Sequence, residues 1–183
     1  MSTLGKVIET LTARRLSDLA ERENLLLDSQ MGNRKNRFVE TALDLLVKQI
    51  YTVWKEGKQI ALVLSLDIAR AFNTVNHLRL LDNLRKKRVP MWFVRTIGSF
   101  LEGRSTTLIV DGKETTPRKL NAGVPQGSPL SPILFLFYNA PLLEAVQQPD
   151  TPILPLGFAD DVNLLTYSDS TTINCFNLES AHD

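Results

Sequence analysis

A chain of 183 residues with 43% hydrophobic content can build a packed core, which excludes wholesale disorder, and its formal net charge of +1 does not by itself announce a nucleic-acid binder. One cysteine, Cys175, excludes a disulfide framework and any multi-cysteine zinc site, and His77 and His182 lack ligand spacing, so a metal acting here would be held by oxygen, which favours a hard cation such as Mg²⁺. No run approaches the ~20 uninterrupted apolar residues of a membrane span and the N-terminus is charged too early for a secretory signal, so an intracellular protein, nuclear or cytoplasmic, with no membrane partner is expected.

Leu4 to Glu23 reads as a helix with Leu4, Ile8, Leu11, Leu16 and Leu19 broadly on one side. Arg34-Lys35-Asn36-Arg37 is a basic cluster, suited either to phosphates or to a solvated face. Arg37 to Lys55 is a clearer helix, because Val39, Leu43, Leu46, Ile50 and Val53 recur at steps of four and three, and Gly57 ends it. Gln59 to Asp67 (QIALVLSLD) is a short, almost continuous apolar run ending in a charge, the pattern of a central strand covered on both faces. His77 to Arg88 and Met91 to Glu102 read as helices separated by Pro90, with Gly103 stopping the second. The cluster Arg85 to Arg88 falls at a helix end, where the dipole favours positive charge. Thr106 to Val110, Asp111-Gly112 and Lys113 onward form a hairpin, since Asp-Gly supplies the positive φ of a type I′ turn. Asn121 to Pro129 is a Gly/Pro loop, and Leu130 to Val146 an apolar helix opened by Ser131-Pro132. Ile153 to Phe158 and Val162 to Tyr167 are strand-like runs flanking Ala159-Asp160-Asp161. The polar tail after Ser168 is expected to fray. There is no internal repeat.

Asp67 ends an apolar strand, and Asp160 and Asp161 sit in the turn of a distant hairpin. Taken alone, an Asp pair in a turn is ordinary turn chemistry. Neighbouring carboxylates between apolar strands repel one another, however, and a cation would relieve that repulsion. With a Gly/Pro loop opening a helix between them, the set fits carboxylates from adjacent strands holding a pair of Mg²⁺ ions roughly 3.5–4 Å apart.

Four segments resemble the motifs of reverse transcriptases, in the order and spacing of the LINE-like retroelements without long terminal repeats. Leu66 to Phe72 (LDIARAF) resembles the first palm motif, Asn121 to Pro132 (NAGVPQGSPLSP) the second, and Phe158 to Asp161 (FADD) the third; Asp28 to Arg34 (DSQMGNR), followed by Arg37, resembles the fingers motif upstream. The second is the most specific, and the resemblance runs from about Leu4 to about Tyr167. It implies an α+β fold: a reverse-transcriptase palm, an antiparallel sheet packed on helices, with partial fingers over 1–58, the palm over 59–168, and the 169–183 tail outside both. It implies RNA-directed DNA polymerase activity, the transfer of dNMP to a primer 3′-hydroxyl on an RNA template. Asp67 and Asp160 would be direct metal ligands with Asp161 beside them, the Ile68 carbonyl a further ligand, and Mg²⁺ the cofactor with Mn²⁺ as substitute. Phe72 would pack beneath the incoming sugar and exclude a 2′-hydroxyl. Gln126, Gly127, Arg34 and Arg37 would meet the nucleotide, and Pro125, Ser128, Phe158 and Ala159 the template and primer.

The chain departs from the family pattern in places. Lys35-Asn36 stands where Pro-Gly is usual, and Asn73 where an acidic residue is common. No thumb and no endonuclease segment is expected within these 183 residues. Two alternatives remain: an inactive retroelement relic that binds nucleic acid weakly, and a viral RNA-dependent RNA polymerase, which would want a polar residue at the position of Phe72.

Overall fold

The computed structural model describes residues 3–57, 59–147 and 152–180. The elements are α1 (Thr3–Arg22), α2 (Val39–Thr52) prolonged by a wider π turn over Val53–Gly57, β1 (Ile60–Asp67), α3 (His77–Lys86), α4 (Met91–Leu101), β2 (Ser105–Thr106), β3 (Ile109–Val110), β4 (Lys113–Glu114), β5 (Arg118–Lys119), α5 (Ser131–Val146), β6 (Ile153–Phe158), β7 (Asp161–Ser168) and α6 (Thr171–Ser180). They form two compact units that interleave along the chain: Met1–Leu16 with Arg70–Tyr138, and Ser17–Ala69 with Asn139–Asp183.

The second unit is built on an antiparallel sheet of order β1-β7-β6. Alternation along the strands sends side chains to opposite faces. Val162 and Leu164 pack with Leu143 and Val146 of α5 and Leu178 of α6. Leu156 and Phe158, on the other face, pack with Met31 and with Ala42, Leu45 and Leu46 of α2. β1 is not the covered central strand its sequence suggests. It is an outer strand with β7 as its one neighbour among the described residues, and Leu64 and Leu66 are each 37% exposed. An apolar run records that a strand's faces tolerate cover; it does not record which strand lies in the middle. The expected fraying of the tail is also overturned over Thr171–Ser180. The Ser170 hydroxyl accepts from the Thr172 amide at the start of α6, buried Asn174 donates to the Ile60 carbonyl at 2.8 Å, and Leu178 joins the core. Residues 181–183 lie outside the described ones.

In the first unit, α3 is capped by Asn76, whose side chain accepts from the Arg79 amide. It packs on α4 with Leu80, Leu84, Phe93, Val94 and Ile97 buried. Asn83, buried in this core, donates to the Phe137 and Tyr138 carbonyls of α5, both at 3.2 Å. The reason lies four residues on. Pro141 sits inside α5 and has no N–H for the Phe137 carbonyl, so a side chain serves instead. The β3–β4 hairpin turns as its Asp-Gly predicts, with φ of 50° at Asp111 and 76° at Gly112. The apolar stripe assigned to α1 is its buried side only towards its end: Leu16 is buried, but Leu4, Ile8 and Leu11 are exposed while Glu9 and Thr12 are buried.

Candidate active site

The carboxylates belong to the second unit. Asp67 is the last residue of β1 and Asp161 the first of β7, and the register sets them directly opposite one another. Such partners bring their Cβ atoms to roughly 4.5–5.5 Å, where like charges repel. Asp160 is the second residue of the two-residue loop closed by Phe158 and Asp161. Ala159, the first, has φ 56°, a left-handed conformation that costs a residue with a side chain about 1–2 kcal/mol. The register thus pairs Asp161, not Asp160, with Asp67, and Ile68 follows, half-buried against the core. Among the described residues no three His, Cys, Asp or Glu side chains are grouped closely enough to hold a metal ion. The two opposed carboxylates have the chemistry a hard divalent cation takes, oxygen donors whose mutual repulsion a cation would offset.

What holds this turn was not evident from the sequence. Ser29 to Gly32 runs alongside β6: the Met31 amide donates to the Gly157 carbonyl at 2.7 Å and the Gly157 amide to the Ser29 carbonyl at 3.0 Å. Gly32 then lies flat against the loop, where a Cβ would stand 2.1 Å from the Ala159 nitrogen. The available signal was a glycine, Gly157, within an otherwise apolar strand, which marks close approach of another backbone.

Arg34 and Arg37, expected at phosphates, are both hydrogen-bonded to neighbouring groups of the chain. Arg34 is buried, its Nε and Nη2 donating to the two carboxylate oxygens of Glu21 at 2.7 and 2.8 Å and its Nη1 to the carbonyls of Leu27 and Gln30. The two hydrogen bonds to its carboxylate hold the Glu21 carboxyl below the usual range, against the opposing effect of burial. Arg37 donates to the Asp28 carboxylate at 2.7 Å and to its carbonyl, and lowers that carboxyl too. Both arginines brace the Leu27–Arg37 loop. Asn36, in place of the family's glycine, has φ 60°; Asn tolerates this region better than most residues with a side chain. Phe158 is half-buried against α2.

The first unit carries the remaining candidates and brings Phe72 beside the Gly/Pro loop. The Phe72 carbonyl accepts from the Val124 amide and the Val75 carbonyl from the Gly123 amide, both at 2.8 Å, and the Phe72 ring lies 5.2 Å from that of Phe135. Gly123, φ 87°, has its carbonyl bonded by His77 Nε2 at 2.9 Å and Arg104 at 3.1 Å. Pro125 to Ser128 then form a tight turn, the Ser128 amide donating to the Pro125 carbonyl, with φ 82° at Gly127. Gln126 and Gly127 are exposed at its tip. Pro125 and Ser128, expected against template and primer, are its buried feet.

An antiparallel sheet between helices, with Asp67 opposite Asp161 where β1 meets the β6–β7 turn, has the architecture of a polymerase palm. The chain belongs to the reverse transcriptase (RNA-dependent DNA polymerase) family, whose profile matches residues 1–182. It is 33% identical over 180 residues to a probable RNA-directed DNA polymerase from transposon BS of Drosophila melanogaster, covering 97% of this chain and 19% of that protein. It is 30% identical to the RNA-directed DNA polymerase from mobile element jockey of the same species, covering 94% of this chain and 18% of that one. The chain therefore spans about a fifth of the length of these relatives. Telomerase from Candida tropicalis shares the fold: the apo form, truncated from its C-terminal domain, superimposes with a TM-score of 0.66 at 15% identity over 94% of this chain and 36% of that one. The form in complex with a telomeric RNA fragment gives 0.67 at 13% identity, over 96% of this chain and 30% of that one. The family match favours a reverse transcriptase over a viral RNA polymerase. No helix among the described residues is long and apolar enough to cross a membrane.

Proposed function

We propose that this chain is the fingers–palm portion of a retroelement RNA-directed DNA polymerase, extending a DNA primer with dNTPs on an RNA template. Residues 1–58 contribute to the fingers and 59–168 to the palm. The observation that carries the reading is the register of Asp67 opposite Asp161 with Asp160 in the adjoining turn, within a family of RNA-directed DNA polymerases. Bound divalent cations, Mg²⁺ with Mn²⁺ as substitute, would acidify the primer 3′-hydroxyl and neutralise charge on the leaving pyrophosphate. Asp67, Asp160 and Asp161, with the Ile68 carbonyl, would hold the cations. Gln126 offers its amide to the nucleotide, and Gly127 lets its backbone approach closely. The Phe72 ring has no acceptor for a 2′-hydroxyl, so dNTPs are preferred over rNTPs.

Primer extension by the chain on an RNA template with Mg²⁺ tests this. Asp160→Asn and Asp67→Asn should each lower the rate by at least about 10²-fold, the scale of losing an electrostatic partner of the transition state. Phe72→Ala should admit rNTPs. Extension unaffected by both Asp substitutions would sink the assignment, and a folded wild-type chain without extension would favour the relic.

A further inference from the structure

Glu9 has no place in the function proposed above, yet it is buried, at 9% exposure, at the head of the buried side of α1. A carboxylate taken out of water needs a partner, and none of the ion pairs among the described residues includes Glu9. Its partner is a hydroxyl 119 residues away in sequence: Ser128 Oγ donates to Glu9 Oε2 at 2.6 Å, in the range of a charge-assisted hydrogen bond. The same Oγ accepts from the Leu130 amide at 3.2 Å, just before α5 begins. The hydroxyl is thus fixed both as donor and as acceptor. Ser131 Oγ closes the turn from the other side, donating to the Pro125 carbonyl at 2.6 Å. Between these two feet, Gln126 and Gly127 project into solvent.

We infer that Glu9 is a positioning residue for the Gln126–Gly127 turn. By holding the Ser128 hydroxyl it fixes the foot of the turn, and so the direction in which Gln126 is presented. Only what Gln126 touches rests on the polymerase reading; the tie itself does not. Glu9→Gln keeps an oxygen that accepts the Ser128 proton, whereas Glu9→Ala leaves none.

The test compares wild type, Glu9→Gln, Glu9→Ala and Ser128→Ala, all in the full chain. It reads amide hydrogen exchange at Ser128 and Leu130 and primer extension at varied dNTP. In Glu9→Ala and Ser128→Ala, exchange at these two amides should rise about tenfold while the amides of α3 and α4 hold steady, as expected for local opening after loss of one charge-assisted bond. The dNTP KM should rise several-fold with a smaller change in kcat, and Glu9→Gln should stay near wild type in both readouts. Unchanged exchange at Ser128 and Leu130, or an equal rise across α3 and α4, would overturn the inference. A wild type without extension counts against the polymerase reading alone, since exchange still decides the tie. If Glu9→Ala does not fold, Glu9→Met, which likewise offers no oxygen, takes its place against Glu9→Gln, and equal exchange in those two overturns the inference.

Discussion

Around Asp160 the chain is held main chain to main chain: β7 between β1 and β6, Ser29 to Gly32 bonded to Gly157, and Gly32 flat against Ala159. Around Gln126 main-chain bonds from Gly123 to Val75 and from Val124 to Phe72 are joined by side chains: Glu9 through Ser128, Ser131 on Pro125, and His77 with Arg104 on Gly123. Backbone support leaves the supporting side chains free to vary but admits no added atom. Side-chain support tolerates added volume and fails when a particular functional group is removed. The proposed division of labour fits this difference. Metal ligands need fixed spacing, which a sheet register supplies, while a nucleotide contact needs a tip free to meet its ligand.

The largest effect expected from this comparison separates two glycines. Gly32→Ala forces a Cβ to within 2.1 Å of a backbone nitrogen and should destabilise the second unit by at least about 3 kcal/mol, the upper range of overpacking. At Gly127 an added Cβ meets nothing within 4 Å, so Gly127→Ala should cost only the ~1 kcal/mol of its left-handed backbone. Urea unfolding of the two variants measures both, and equal costs would break the distinction.

Next in size is Arg34→Met, which removes the brace of the loop carrying Gly32. It should cost about 2–3 kcal/mol near neutral pH, less than full burial would give because Glu21 keeps 30% of its side chain exposed. The pH dependence has a definite sign. Arg34 lowers the folded-state pKa of Glu21, so the stability it contributes is complete above the unfolded-state value and is lost as pH falls through the folded one. The gap between wild type and Arg34→Met should therefore narrow below roughly pH 4. A gap constant from pH 7 to pH 2 would show that the carbonyl contacts of Arg34, and not its ion pair, carry the brace.

The smallest effect runs the other way. Ala159→Gly relieves a positive φ at the carboxylate turn and adds chain entropy to the unfolded state, for a net gain of about 0.5 kcal/mol. A loss of stability would mean that the Ala159 methyl contributes more than its strained backbone costs.

Local signals were strong enough to read much of this in advance. The Asp-Gly turn between β3 and β4, the α5 start at Ser131-Pro132 and the β6–β7 hairpin around Asp160 each depend on a few adjacent residues. The roles of Arg34, Ser128 and Glu9 depend on partners 13 and 119 residues distant. No periodicity in the chain encodes such pairings, so a guanidinium that resembles a phosphate contact turns out to be buried against Glu21.

By itself, then, the sequence determined the types of the main helices and strands before the tail, the order of the motifs and the presence of carboxylates at the end of one strand and the tip of a hairpin. These follow from turn chemistry and apolar spacing, which act over a few residues. The tertiary structure decided that β1 lies at the sheet edge, that Asp161 faces Asp67, that Gly32 supports the Ala159–Asp160 loop and that Thr171–Ser180 is helical. Each of those depends on which distant segment arrives to make the contact, and burial and hydrogen-bond completion across the whole chain select that segment.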